Sequence, residues 1–353
     1  MNAISLFSGM GGDSLGLTNA GFNLVAYSEK EKQMKETHDL NFKDCELIGS
    51  DVGSDIKKIT DDEFLKYKDK VDLIFAGFPC QGFSNAGKKK LNDPRNTLFK
   101  EFVRATKLIN PKFIIGENVK GLLSRKTHDK REYIEVIEEE FNKLNYNIIY
   151  KVFTASKYGV PQKRQRLIIL GVRRDLNKTL SFPDELNTET NLKNIVEFNM
   201  KGAIHVPKEH FDISTLPKHS IMEDLENDET ENSPHPYLKL KATSVDTEYK
   251  GKTHETLLSF SKRDSPIHCE IIDLTKPSKT IICTYNHQPR LFVALHNKNG
   301  YFLRCLLPDE LKQIQGFPKD YKVSGNTKKQ IIQIGNAVPP PLIELIGRHI
   351  LTL

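Results

Sequence analysis

The pentapeptide Gly77-Phe78-Pro79-Cys80-Gln81 follows the apolar run Val71-Asp72-Leu73-Ile74-Phe75-Ala76. A run that is apolar on both faces and stops at Gly-x-Pro reads as a buried strand of a parallel sheet. In such sheets, chemistry sits beyond the carboxyl ends of the strands. Cys80 therefore stands where a thiolate nucleophile would stand, in a loop stiffened by Pro79. Cys45, Cys269, Cys283 and Cys305 have no such context and read as small apolar residues. A second constellation, Phe7-Ser8-Gly9-Met10-Gly11-Gly12, lies between a short strand and a helix, where glycines let a ligand approach the backbone and a helix N-terminus. Glu29 follows Gly9 by 20 residues, the spacing at which a nucleotide-binding βαβ unit places a carboxylate for ribose hydroxyls. The glycine spacing is not G-x-G-x-x-G, so a nucleoside without a pyrophosphate is the better fit.

The elements that must position these residues follow from periodicity. Strands are expected at residues 4–7, 22–28, 46–49, 71–76 and 112–116, and a further apolar strand at 166–171. A helix opens at Asp13, and Ile134, Ile137, Phe141 and Leu144 recur on one face of another. This alternation predicts a doubly wound α/β domain. From residue 184 to about 275 periodicity is poor and charge is dense, including the acidic run at 223–231, which reads as a solvated loop. Lys239, Lys241, Lys250, Lys252, Lys262 and Arg263 interleave there with Tyr237, Tyr249 and Phe260, a mixture that suits a nucleic-acid face as well as a plain solvated surface. Pro339 to Pro341 then start a C-terminal helix with Leu342, Leu345, Ile346 and Ile350 on one stripe.

Composition sets the bounds. The chain has 353 residues, enough for one large domain with an insertion or for two. No stretch approaches the ~18 to 20 apolar residues of a membrane span, and the start lacks a basic leader. Five cysteines without C-x-x-C spacing point to a reducing compartment and away from a metal site. A formal charge of +6 permits nucleic-acid binding without requiring it.

Taken in order, the segments resemble the DNA cytosine-5 methyltransferase family. The resemblance rests on Phe7 to Gly12, on Gly77-Phe78-Pro79-Cys80-Gln81-Gly82-Phe83-Ser84 and on Glu117-Asn118-Val119. It continues with Gln162-Lys163-Arg164-Gln165-Arg166 and Gly335-Asn336-Ala337-Val338-Pro339. Pro277-Ser278-Lys279-Thr280-Ile281 and Gln315-Gly316-Phe317-Pro318 fit as well. The resemblance implies a Rossmann-like S-adenosylmethionine-dependent methyltransferase domain formed by residues 1–183 and completed by 322–353. A smaller irregular target-recognition domain would occupy 184–321, with the unmatched stretch 184–275 as its variable part.

The implied activity is methylation of C5 of a cytosine flipped out of duplex DNA. By resemblance Cys80 adds to C6, Glu117 acts as the acid at N3, Arg166 holds the cytosine O2, and Arg164 supports the base or its phosphate. S-adenosylmethionine is the implied cofactor. Phe7 would stack on adenine, Glu29 would bind ribose, Asp51 would take the adenine amino group, and Gly9, Gly11, Gly12 and Asn336 would hold the methionine end. Pro79 would line the path from methyl to base. Residues 82–96, with Lys88, Lys89 and Lys90, look like a lid that meets phosphates. The implied setting is a bacterial or phage cytoplasm, with the chain a monomer paired with, or guarding against, a restriction endonuclease.

The chain departs from the family pattern at Gln165, where an acid is usual, which puts the placement of Arg166 in question. It departs also at Lys30, and in the lack of an arginine in the segment 277–280. Two rival readings remain. A tRNA cytosine-5 methyltransferase of the same fold usually carries Cys-Phe-Thr where this chain has Cys283-Thr284-Tyr285. A DNA-binding relic without activity would not need Cys80, Glu117 and Arg166 intact.

Overall fold

The computed structural model describes residues 1–79, 98–127, 130–186, 188, 190–208, 212–230 and 270–353, with the backbone of Glu248–Tyr249 and Lys252–Thr253. Cys80, residues 82–96 and the side chains of Lys239, Lys241, Lys250, Lys252, Lys262, Arg263, Tyr237, Tyr249 and Phe260 lie outside the described residues, as does Cys269.

Seven strands form the main sheet: β1 (Asn2–Leu6), β2 (Asn23–Ser28), β3 (Glu46–Leu47), β4 (Leu73–Ala76), β5 (Phe113–Asn118), β6 (Tyr146–Thr154) and β7 (Gln165–Arg173). Their order is β3-β2-β1-β4-β5-β7-β6. β1 to β5 run parallel, whereas β7 is antiparallel to both β5 and β6. The chain leaves β1 toward β2 on one side and returns to β4 on the other, so the β1/β4 boundary is the switch point at which such sheets open a crevice. β4 and most of β5 are buried on both faces, which is why they read as continuous apolar runs. The helices are α1 (Gly12–Ala20), α2 (Lys32–Asn41), α3 (Asp61–Leu65), α4 (Phe99–Ile109), α5 (Tyr133–Lys143), α6 (Pro308–Ile314), α7 (Thr327–Asn336) and α8 (Pro340–Thr352).

A second sheet is built from β8 (Ile204–His205), β9 (Ile221–Asp224), β12 (Glu270–Ile271), β13 (Leu291–Asn297) and β14 (Gly300–Cys305), while β10 (Glu248–Tyr249) and β11 (Lys252–Thr253) pair only with each other. The middle of the chain is thus more regular than its poor periodicity predicts. The strands are short, and β9 takes the first two acids of the run at 223–231, Glu223 and Asp224, into a parallel pairing with β13. Arg304 of β14, fully buried, forms a bidentate pair with Glu310 of α6 at 2.6 and 2.8 Å. The core beneath this sheet also takes in Met10 of the glycine turn and Ile331 and Ile334 of α7.

The two ends of the chain meet at α1 and α8. A Cβ built on Gly16 would lie 2.6 Å from the Pro340 carbonyl oxygen and 2.7 Å from Ile343 Cβ. Only glycine permits that approach. Gly16→Val should therefore destabilise the protein by about 1 to 3 kcal/mol or more through overpacking, read as a lower urea midpoint with an unchanged slope. An unaltered midpoint would show that the α1–α8 contact has slack.

Candidate active site

The carboxyl ends of β1, β2 and β4 carry the residues expected to hold a nucleoside. Phe7 leaves β1 in the left-handed conformation, φ 57°, and is half-buried. Gly9 follows with φ 57° and Gly11 with φ 90°. The Gly9 N–H donates to Glu29 Oε2 at 2.9 Å, and the Glu31 N–H donates to Oε1 at 2.8 Å. Both carboxylate oxygens are thereby oriented, with lone pairs left for hydroxyl donors. Burial raises the affinity of Glu29 for a proton, and these backbone N–H groups oppose the shift. The Glu29 N–H donates to Ser54 Oγ at 3.1 Å. That bond ties the loop carrying exposed Asp51 to Glu29, a role for Ser54 that no sequence pattern announced.

Gly12 explains the distant C-terminal motif. A Cβ there would lie 2.2 Å from the Val338 carbonyl oxygen, so residues 337–338 press directly on the glycine turn. Asn336, at the end of α7, is exposed beside this contact. Tyr321 Oη donates to the Met10 carbonyl, a second tie between the turn and the C-terminal segment. The groups present suit an adenosyl ligand: an aromatic ring, an oriented carboxylate and a turn open at its backbone.

Next to this turn lies the catalytic rim. A Cβ built on Gly77 would be 3.7 Å from the Phe7 carbonyl oxygen and 3.8 Å from Glu117 Oε2, so β1, β4 and β5 deliver their ends to one place. Pro79 is half-buried at the last described position before Cys80. Asn118 Nδ2 donates to the Phe78 carbonyl at 3.1 Å, which pins the segment leading into Cys80. Because β7 is antiparallel, its first residues arrive where β5 ends. Arg166 Nε meets Glu117 Oε1 at 2.7 Å and Arg166 Nη1 donates to the Gln165 carbonyl at 2.7 Å, leaving Nη2 without a partner among the described residues. Glu117 itself thus positions Arg166 in place of an acid at 165. Burial pulls the Arg166 guanidinium below its ordinary affinity for a proton, and Glu117 restores part of it.

Arg164 is placed differently from the expectation. It is 1 % exposed, and its Nη1 and Nη2 donate to the carbonyls of Ile281 at 3.1 Å and Gly335 at 3.0 Å. Both terminal nitrogens are engaged inside the chain rather than turned toward a base or phosphate, and its Nε is buried without a partner among the described residues. Gln162 extends the same seam, donating to Gln315 Oε1 at 2.7 Å and accepting from the Ile281 N–H at 2.9 Å. The segment 277–282 is therefore stitched to the approach of β7. A Cβ on Gly335 would lie 2.4 Å from the Cys283 nitrogen. Among the described residues no group of three or more His, Cys, Asp or Glu side chains is placed to hold a metal ion, and no helix is long and apolar enough to cross a membrane.

Comparison with known proteins places the geometry in context. The model of the C-5 cytosine-specific DNA methylase family matches residues 1–352. The Type II methyltransferase M1.HphI of Haemophilus parahaemolyticus is 33% identical over 99% of this chain and 86% of its own length. The Type II methyltransferase M.Eco47II of Escherichia coli is 32% identical over 99% of this chain and 78% of its own. Among solved structures, a DNMT2 variant of Spodoptera frugiperda superposes with a TM-score of 0.65 at 18% identity, covering 99% of this chain and 98% of that one. A putative DNA modification methyltransferase encoded within an E. coli prophage gives 0.58 at 22% identity, covering 100% and 99%.

One buried group went unnoticed in the sequence. Asp13, in the first turn of α1, is 2 % exposed; it accepts from Ser5 Oγ of β1 and, at 3.5 Å, from Ser14 Oγ. Ser14 Oγ also bonds Ser8 Oγ at 3.0 Å and His38 Nε2 at 2.9 Å. Burial drives His38 down to about 3, so its ring stays neutral, stacked on Tyr27 at 3.6 Å. Burial raises Asp13 from 3.8 to about 7. The folded state therefore holds the Asp13 proton more tightly than the unfolded chain. That contribution to stability is full below pH 3.8 and is lost as pH rises through about 7. Asp13→Asn, neutral throughout, should gain thermal stability relative to wild type between pH 5 and pH 8. A difference in melting temperature that is the same at both ends of that range would show that Asp13 does not titrate there.

Proposed function

The chain belongs to the C-5 cytosine-specific DNA methylase family and is a DNA cytosine-5 methyltransferase, and we propose that its methyl donor is S-adenosylmethionine and that Cys80 and Glu117 activate the cytosine. The observation that carries this reading is the convergence of Phe7, Gly77, Glu117 and Arg166 at the carboxyl ends of β1, β4 and β5. Phe7, Gly9, Gly11, Gly12, Glu29, Asp51, Pro79 and Asn336 would hold the cofactor. When bound, it supplies an electrophilic methyl group.

The chain's residues do the rest. C5 of cytosine is too weak a nucleophile to react directly. The Cys80 thiolate forms a bond to C6, and Glu117, hydrogen-bonded at N3, delivers a proton to that nitrogen. C5 is then enamine-like and takes the methyl group. Loss of the C5 proton to a base and departure of the thiolate, with return of the N3 proton, restore the aromatic ring and the free cysteine. Arg166 Nη2 is the donor left over for the cytosine O2. We assign Arg164 to positioning: by fixing the Gly335 carbonyl it sets Asn336 against the glycine turn. The cytosine must leave the duplex stack to reach this rim, at a cost of about a few kcal/mol.

Residues 1–183 with 322–353 would form the catalytic unit and 184–321 the unit that reads the target. The placement of β1 to β7 before residue 174 and of β8 to β14 after 203 supports that division. Since the named relatives are Type II methyltransferases, we assign the protein to a restriction-modification system, acting as a monomer in the cytoplasm opposite a cognate endonuclease.

Duplex DNA carrying 5-fluorocytosine at the target should be trapped covalently on the protein, because C5 then has no proton to lose. Cys80→Ala should form no adduct, and an adduct in that variant would remove Cys80 from the mechanism. Glu117→Gln should retain DNA binding but lose about 10²- to 10⁴-fold in methyl transfer. A rate within a few-fold of wild type would reduce Glu117 to a partner for Arg166.

A further inference from the structure

Where the approach to β7 meets the segment 277–282, a cleft of about 370 Å³ opens, lined by Lys163, Lys279, Thr280, Tyr285, Arg290 and neighbouring apolar residues. No carboxylate lines it. Lys279 is paired with Glu270, but the side chains of Lys163 and Arg290 have no partner among the described residues. A second surface cleft differs in its charges. That cleft also carries arginines, Arg104 and Arg131. There Arg104 is held by Asp61 at 2.6 Å and Glu101 at 2.8 Å, and Arg131 by Glu139 at 2.8 Å. Cations neutralised by their own chain have little left for a ligand. Two unneutralised cations converging on a concavity have a full charge each.

The frame around the cleft is fixed. The Lys163 N–H donates to the Ser278 carbonyl at 2.8 Å, Thr280 Oγ1 donates to the Lys163 carbonyl at 3.5 Å, and the Arg290 carbonyl accepts from the Glu270 N–H at 2.8 Å. Arg164 and Gln162 hold Ile281 from beneath. Lys163 also precedes Arg166 by three residues, so their Cα atoms lie at most about 11 Å apart. That separation is about three base-pair steps of duplex at 3.4 Å each.

We propose that Lys163 and Arg290 bind a backbone phosphate of the substrate DNA close to the flipped cytosine. The inference rests on the DNA methyltransferase reading of this chain. An anchor of this kind sets register and contributes affinity, but it reads no base. It assigns Arg290 to positioning rather than to base readout. Neutralising a phosphate releases a condensed counterion, so each contact steepens the fall of affinity with salt by about 0.9 in the log–log slope.

The test is Lys163→Gln/Arg290→Gln, bound to a duplex containing the methylated site and to an unrelated duplex across a salt series. Neither side chain has a partner among the described residues, so the melting temperature should hold. The double variant should lose about ten-fold or more in affinity at low salt for both duplexes, and its slope should fall by about 1 to 2. Unchanged affinity and slope would overturn the site. Weakening confined to the target duplex would also overturn it, because the residues would then be reading bases. Methyl transfer by the wild-type protein to the same DNA separates the claims. Its absence would overturn the proposed function, whereas transfer with an unaltered salt slope in the double variant would overturn the phosphate site alone.

Discussion

The active site depends on one close approach: the Val338 carbonyl oxygen occupies the space where any side chain at position 12 would begin, 2.2 Å from an ideal Cβ. The glycine turn after β1 is therefore one half of a contact whose other half is more than three hundred residues away. The same closure recurs at Gly16 against Pro340 and at Gly347 against Ala20, so α1 and α8 pack with no side chain between parts of their backbones. A glycine turn closed this way cannot reach its final packing until both ends of the chain have folded. The distance in sequence between Phe7 and Asn336 is a consequence of that closure.

Charge is arranged with comparable economy. Arg164 and Arg166 lie two residues apart and both are largely buried, yet they face different partners. Arg166 is matched by a carboxylate. Arg164 is matched only by two backbone carbonyls, and burial together with its neighbour Arg166 pulls it well below its ordinary affinity for a proton. A buried guanidinium held by carbonyl dipoles is costly unless its geometry is fixed. Here that geometry fixes Gly335, Ile281 and the start of β7 at once. The antiparallel direction of β7 is what allows one short segment to serve the catalytic carboxylate and the interdomain seam together.

Much of this was legible in the sequence, and the reasons differ by element. β4 and β5 were visible because burial on both faces leaves no polar alternation, and Glu117 was correctly taken as lying at a strand end. β6 was missed because its middle is largely solvent-exposed, so it reads as Tyr-Asn-Ile-Ile-Tyr-Lys without a clear period. β8 and β9 were missed because two to four residues cannot establish a period. Cys305 is buried as expected of a small apolar residue, whereas Cys45 and Cys283 are only partly covered. Arg164 was assigned outward because a pattern of residue types does not say which way a guanidinium turns. Asp13 was passed over because one acid in the first turn of a helix is ordinary on a surface, and only the fold reveals that this one is enclosed.

The same seam that completes the cofactor pocket also joins the two sheets. Gln162 and Arg164 grip the segment 277–282, and Gln315 Nε2 reaches on to the Ala337 carbonyl beside the glycine turn. The second sheet is thus connected to the rim at Glu117 through hydrogen bonds that involve backbone atoms and buried amides, not through exposed side chains. Backbone-anchored contacts of this kind tolerate replacement of exposed side chains on the second sheet while keeping the distance from that sheet to Glu117 constant. Side-chain changes on the second sheet and the geometry around Glu117 are in this way physically separable within one chain.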